Sequence, residues 1–252
     1  MRPGQRGLSL IELAIVLLVA ALLAASLLTP LAAQNEARKI DQTRRSLDEA
    51  RNALLGFALA HGRLPCPASA SSLGREAGGG AAACSSGGLG VADGYLPAAT
   101  LSLSPTDGQG YSLDAWGARL RYAVSVGPAG AHSFTSSAGI STYWQAHQTP
   151  PLADLQICSA AANISHAGTA GADCAAANAL SREAPAVLYA IGRHAADSAP
   201  GVDSAANRDG DRVFVFHEAR SAAGAGGRFE DVVLWLSTSV LYNRMVAAGR
   251  LP

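Results

Sequence analysis

Charged side chains vanish from the chain between Leu13 and Asn35, and that gap defines the first element. At 1.5 Å per residue these 23 positions make a helix of roughly 35 Å, enough to cross a hydrocarbon core of about 30 Å, so the pattern predicts a transmembrane helix. Past Asn35 charges return while helix formers persist. Ile40, Leu47 and Leu54 recur every seven residues with Thr43, Ala50 and Ala58 between them, marking one apolar stripe on a continuing amphipathic helix. Asp41 with Arg45, and Asp48 with Arg51, lie within helical reach on solvated faces. Pro30 removes one helix hydrogen bond and predicts a kink. His61-Gly62, followed by Pro65, ends the helix.

Downstream the period changes. Leu120, Tyr122, Val124 and Val126 alternate with Arg121, Ala123 and Ser125, the pattern of a half-buried strand over 119–126. Further strands are predicted over 186–192, 212–218 and 229–236, and a short terminal helix over 239–249, whose Tyr242, Met245 and Val246 are read as local packing. No clear helical crossover separates the strands. The expectation is an α+β fold: a long N-terminal transmembrane helix continuing into a head with an antiparallel sheet of about four strands.

Composition changes this picture in two ways. Net charge is zero, so no global field draws nucleic acid or an acidic surface, and the arginines are dispersed among acids. The 49% hydrophobic fraction overstates the core, because alanine and the apolar run supply much of it while aromatics make up only 6%, so long loops are expected. Cys66, Cys84, Cys158 and Cys174 form an even set in the part predicted to leave the cytoplasm, which favours disulfides. Three pairings are open. The simplest joins Cys66 to Cys84 and Cys158 to Cys174, stapling two Ala/Gly/Ser-rich loops for a model gain of about 3 kcal/mol each. A zinc site would need tighter cysteine clusters than these.

The residues that carry most chemistry stand at the start, Gly7-Leu8-Ser9-Leu10-Ile11-Glu12-Leu13. A glycine closes a basic leader containing Arg2 and Arg6, and one carboxylate then sits inside an apolar run. On insertion scales an ionised glutamate costs about 2.5–3.5 kcal/mol at bilayer centre and less near an interface. A chain cut after Gly7 would place the new α-amino group of Leu8 about one helical turn from Glu12 and supply a positive partner. The stretch resembles the processing site of type IV pilins and of the pseudopilins of type II secretion, with Leu8 where phenylalanine or methionine is usual.

That resemblance implies cleavage after Gly7 by a prepilin peptidase, methylation of Leu8, and a role for Glu12 in assembly with other pilin subunits and an inner-membrane assembly platform. It divides the chain into a cytoplasmic leader (1–7), a transmembrane and assembly helix (8–33), its amphipathic continuation (34–61) and a periplasmic head (62–252). The basic leader sets the N-terminus in the cytoplasm of a bacterial inner-membrane, single-pass precursor. Asp114-Ala115-Trp116-Gly117 also looks like the aspartate-tryptophan-glycine turn of major pseudopilins, and a turn with a core tryptophan describes the same residues. The resemblance favours a structural subunit, a minor pilin or pseudopilin, because about 245 residues after Gly7 exceed the usual major subunit. Glu12 argues against the tip pseudopilin, which typically lacks that carboxylate. A Sec-type signal peptide would instead be cut after the apolar run, where Leu31-Ala32-Ala33 is a poor site, and a plain anchor leaves Glu12 unexplained.

Other functional classes find less support. There is no G-x-S-x-G elbow, P-loop or H-E-x-x-H, and His61, His132, His147, His166, His194 and His217 are scattered without metal-ligand spacing. Glu218, Glu230 and Asp231 read as solvated strand edges. The prolines of Leu64-Pro65-Cys66-Pro67 and Tyr95-Leu96-Pro97 shape the first cysteine loop. Asp197, Asp203, Asn207, Asp209 and Asp211 crowd into one loop, and the last four are the candidates to offer the hard oxygen donors that calcium prefers, yet the glutamate that ends an EF-hand loop is missing and Asp and Asn are ordinary turn formers. No other cofactor is implied. A tip-exposed binding module is the second class and an anchored periplasmic enzyme the third.

Overall fold

The structure, a computed structural model, describes residues 10–78, 84, 90–126, 134–166, 172–220 and 227–252, with only the backbone described for residues 23–32. Gly7, Leu8 and the rest of the leader lie outside the described residues, as does His132. The chain separates into two compact units, residues 1–41 and 42–252.

Helix α1 runs from Leu10 to His61, and its helical assignment continues through Pro30. Within the first unit, apolar side chains from Leu10 to Leu22 are exposed, Leu10 at 88% and Leu22 at 64%. The side chains of the uncharged run are thus described at its two ends only, and among the described residues no helix is long and apolar enough to cross a membrane.

In the second unit the heptad stripe of α1 becomes core. Thr43, Leu47, Ala50, Leu54 and Ala58 are fully buried. Asp48 pairs with Arg51 at 2.9 Å on an outer face. Gly62, at φ +66, closes the helix by donating its N–H to the Ala58 carbonyl at 2.8 Å, a backbone conformation that glycine adopts freely.

Four antiparallel strands form the main sheet in the order β1-β2-β7-β9: β1 Val91–Tyr95, β2 Arg121–Ser125, β7 Ala186–Ala190 and β9 Val232–Leu236. Their two faces belong to two cores. Ala92, Tyr122, Val124, Ala186, Leu188, Ala190 and Leu236 pack with the α1 stripe, and with Leu241, Tyr242 and Met245 of α4 (Thr238–Ala247). The alternating residues Val91, Ala123, Val187, Tyr189 and Val233 pack with Leu155, Ile157, Ala184 and Phe214 of a second sheet. That sheet has the order β6-β3-β8, from β3 Leu155–Cys158, β6 Ala179–Ala184 and β8 Val213–Val215, with β3 antiparallel to β6 and parallel to β8. A two-stranded ribbon, β4 Ile164–His166 with β5 Ala172–Cys174, completes the strands. Helix α2 is Gly139–His147 and α3 is Val202–Ala206.

Three details correct the sequence reading. The main sheet is covered on both faces, so Ala123 and Ser125 are buried where a half-buried strand would expose them. The strand predicted over 212–218 shortens to β8 and joins the second sheet. Its place in the main sheet is taken by β1, whose Val-Ala-Asp-Gly-Tyr sequence carries a weak strand signal.

The cysteines pair as Cys66–Cys84 and Cys158–Cys174. The first bridge belongs to the core that holds α1. Beside it, buried Arg63 grips Glu76 through two 2.8 Å hydrogen bonds, and the Cys66 N–H donates to Glu76 at 3.1 Å. Burial raises the Glu76 carboxyl, but the Arg63 contacts and the Cys66 N–H outweigh it and leave the group below its usual range. The second bridge ties β3 to β5, in a small cluster with Ala172 and Val213.

Removing either bridge by paired Cys→Ser exchange should cost about 2–5 kcal/mol in urea unfolding, with different local consequences. Loss of Cys158–Cys174 is expected to accelerate amide exchange first in the β4–β5 ribbon, whereas loss of Cys66–Cys84 lowers the global transition. Non-reducing peptide mapping checks the pairing, and cross-paired peptides would refute it. Leu54→Ala, at the centre of the helix stripe, should lose about 2–5 kcal/mol in the same urea assay. A change of a few tenths would show that the stripe does not anchor the sheet.

Candidate functional site

Two regions can carry function. One is the N-terminal segment, of which Glu12 lies within the described residues and is exposed among apolar neighbours. The other is the loop region that the sequence offers as a calcium candidate, and here the structure distributes the oxygen donors differently.

Asp203 is 2% exposed. Its Oδ1 accepts the Ala161 N–H at 2.7 Å, while Oδ2 meets His217 Nε2 at 3.1 Å and the guanidinium of Arg220. This is a buried tie between α3, the turn at Ala161 and the chain beyond β8. Asn207 is also buried, and its amide acts as a substitute strand: Oδ1 accepts the Val215 N–H at 2.7 Å and Nδ2 donates to the Val215 carbonyl at 3.1 Å. Asp211 accepts the Val213 N–H at 2.7 Å, and Asp209 accepts the Asp211 N–H at 3.0 Å. Asp209 and Asp211 are thus turn formers, as their residue types suggest, whereas Asp203 and Asn207 are structural pins. The four do not converge on a common point, and among the described residues no group of three or more His, Cys, Asp or Glu is placed to hold a metal ion.

What the loop does form is one wall of a cleft of about 310 Å³. Gly192, at φ +75, turns the chain out of β7 with its Cα beside the Glu230 carbonyl, where a Cβ would stand 3.1 Å away. This close approach sets His194 between two carboxylates: Nδ1 lies 2.9 Å from Asp197 and Nε2 3.3 Å from Glu230. Arg193 holds the other oxygen of Glu230 at 2.8 Å. Arg208 reaches across to donate to the His194 carbonyl at 3.1 Å. On the inner side Asp231, only 6% exposed, accepts from Ser204 Oγ at 2.8 Å and from Asn207 Nδ2 at 2.9 Å. Asp231 is not the solvated strand edge that its neighbours in sequence suggest.

The Asp-Ala-Trp-Gly stretch is a turn built by its aspartate. Asp114 accepts the N–H groups of Trp116 at 2.9 Å and Ala118 at 2.8 Å, and Thr43 of α1 accepts the Ala115 N–H at 3.1 Å. Its task is to seat the turn against the helix.

Burial is the main influence on Asp231 and outweighs the hydrogen bonds from Asn207 and Ser204 and the charges of Arg208 and His217, so its carboxyl is pushed up to about 6. An unfolded aspartate ionises near 3.9. Between those values the folded chain binds the extra proton, so the stability from this group is fully present below about pH 4 and is lost as pH rises through about 6, by up to roughly 3 kcal/mol. Burial also raises Asp93, Asp114 and Asp154, which act in the same direction, while Glu76 acts in the opposite one. Urea midpoints measured from about pH 4.5 to about pH 7.5 should therefore show a smaller decline in Asp231→Asn than in the parent. Equal declines would assign the titration to another group.

Comparison of the chain with curated proteins and with solved structures finds no match. Residues 2–28 do match a family, described as the prokaryotic N-terminal methylation motif. The chain therefore opens with a prokaryotic N-terminal methylation motif, the signature of type IV pilins and pseudopilins.

Proposed function

We propose that this protein is a structural subunit, a minor pilin or pseudopilin, of a type IV pilus or a type II secretion filament. The observation that carries the reading is the methylation motif at residues 2–28. In this reading the precursor sits in a bacterial inner membrane with its leader in the cytoplasm, and the apolar run from Leu13 to Asn35 is its anchor. A prepilin peptidase removes residues 1–7 and methylates Leu8. The helix then leaves the bilayer for a filament, where the apolar side chains of neighbouring subunits replace lipid. Exposure of the side chains from Leu10 to Leu22 supports this, because a helix with no packed face of its own needs either lipid or other subunits around it. Glu12 is the one ionisable group in that stretch, and it selects register by meeting the α-amino group that processing creates. The role is structural and not enzymatic.

Gly7 and Glu12 act in sequence and are separable by experiment. Gly7→Val should leave the leader attached, since the peptidase must approach the backbone at that bond, and the protein should accumulate as a membrane precursor. Glu12→Ala keeps the scissile bond and removes the insertion cost of a carboxylate, so cleavage and membrane retention should persist while filament incorporation falls. N-terminal sequencing with filament fractionation reads both. Normal incorporation of Glu12→Ala would defeat the assembly role, and cleavage of the parent at Gln34 would replace the pilin reading with a signal peptide.

A further inference from the structure

The cleft beside α3 has a charge pattern that folding alone leaves incomplete. Most of the ionic groups that line it are matched within the protein: His194 with Asp197 and Glu230, and Arg228 with Asp197 at 3.9 Å. Two are not. Asp231 makes only its hydrogen bonds to Ser204 and Asn207, both neutral donors, and forms no ion pair among the described residues. Arg208 likewise forms no ion pair among them, and its Nε is buried with no hydrogen-bond partner. Both line the same cleft, and Arg208 acts on Asp231 through space without contacting it. The undescribed residues of the head cannot supply the missing charges, because His132 is their sole ionisable side chain and the stretch nearest in sequence to the cleft, 221–226, is Ser-Ala-Ala-Gly-Ala-Gly.

A carboxylate at 6% exposure with no ion pair is costly alone, and the half-buried Arg208 faces the same small cavity with a buried Nε that lacks a partner. A ligand with one ammonium and one carboxylate would satisfy both. We infer that this cleft is a binding site for a free amino acid, whose ammonium pairs with Asp231 and whose carboxylate pairs with Arg208. The cavity, at about 310 Å³, lies at the small end of ligand pockets, which run from about 300 to 1,000 Å³. Its rim is fixed by a close approach of two glycines, since a Cβ on Gly227 would stand 3.1 Å from the Gly201 Cα. Burial raises the Asp231 carboxyl against the charges of Arg208 and His217, and an ammonium beside it would draw that carboxyl back toward its ordinary value. The site is independent of the N-terminal motif, and its failure would leave the assembly role untouched.

Calorimetric titration of the full-length protein in detergent with each of the common amino acids tests the inference, with ethylamine and acetate as ligands that carry one pole each. At least one amino acid should bind saturably, and ethylamine and acetate should bind at least about tenfold more weakly. Asp231→Asn and Arg208→Gln should each weaken the amino acid by about tenfold or more. Should Asp231→Asn fail to fold by circular dichroism, Arg208→Gln, which leaves the Ser204 and Asn207 bonds in place, decides alone. Absence of saturable binding by any amino acid would overturn the site. So would unchanged affinity in Arg208→Gln, or ethylamine or acetate binding as tightly as the best amino acid.

Discussion

The burial of the main sheet on both faces is the constraint from which the rest of the head follows. A four-stranded sheet with apolar residues on each side needs two covers, and the chain supplies them from its two ends and its middle. The α1 stripe and α4 cover one face, and the sheet β6-β3-β8 covers the other. Each large side chain that goes from exposed to buried contributes about 1.5–3 kcal/mol, so neither cover is dispensable in a protein whose net stability is about 5–15 kcal/mol. The staples fit this logic. Cys66–Cys84 belongs to the helix-side core and Cys158–Cys174 ties the far layer, so each bridge restrains a loop beside one of the two covers.

The continuity of α1 gives the constraint a second meaning. The residues that dress the sheet, from Thr43 to Ala58, are the same helix that carries Glu12 and the exposed apolar stretch. The stripe of the second part is committed to its own head. In the first part the described side chains from Leu10 to Leu22 are exposed, and between Leu13 and Asn35 no charged residue sets a polar side apart from an apolar one.

How much of this was legible depended on whether the signal was local. The heptad spacing of Leu47 and Leu54 stated the buried face directly, the alternation over 119–126 marked β2, and strand-like runs over 186–192 and 229–236 marked β7 and β9. Strands β1 and β6 were not legible, because Asp93, Gly94, Ser181 and Glu183 disfavour strands and are held there by their neighbours. The second cover was hidden for a related reason. Ala123 and Ser125 look like outward positions when a strand is read alone, and only a sheet packed on the far side makes them interior. In the candidate sites the motif at 2–28 is contiguous and could be read, whereas the cleft draws on Arg208 just after α3 and Asp231 just before β9. Oxygen donors at short spacing looked like a cation shell, and sequence cannot tell a ligand oxygen from one that accepts a backbone N–H.

Asn207 and Asp211 bear on a hazard that any exposed sheet edge carries. Strand β8 is an edge of its sheet, and its outward N–H and C=O groups at Val215 and N–H at Val213 would offer a template to any extended segment that arrived. Side chains from the same loop already fill those positions. An incoming strand would have to displace bonds that cost no intermolecular ordering to keep. Wherever heads are crowded together, a blocked edge steers them away from amyloid-like sheet addition.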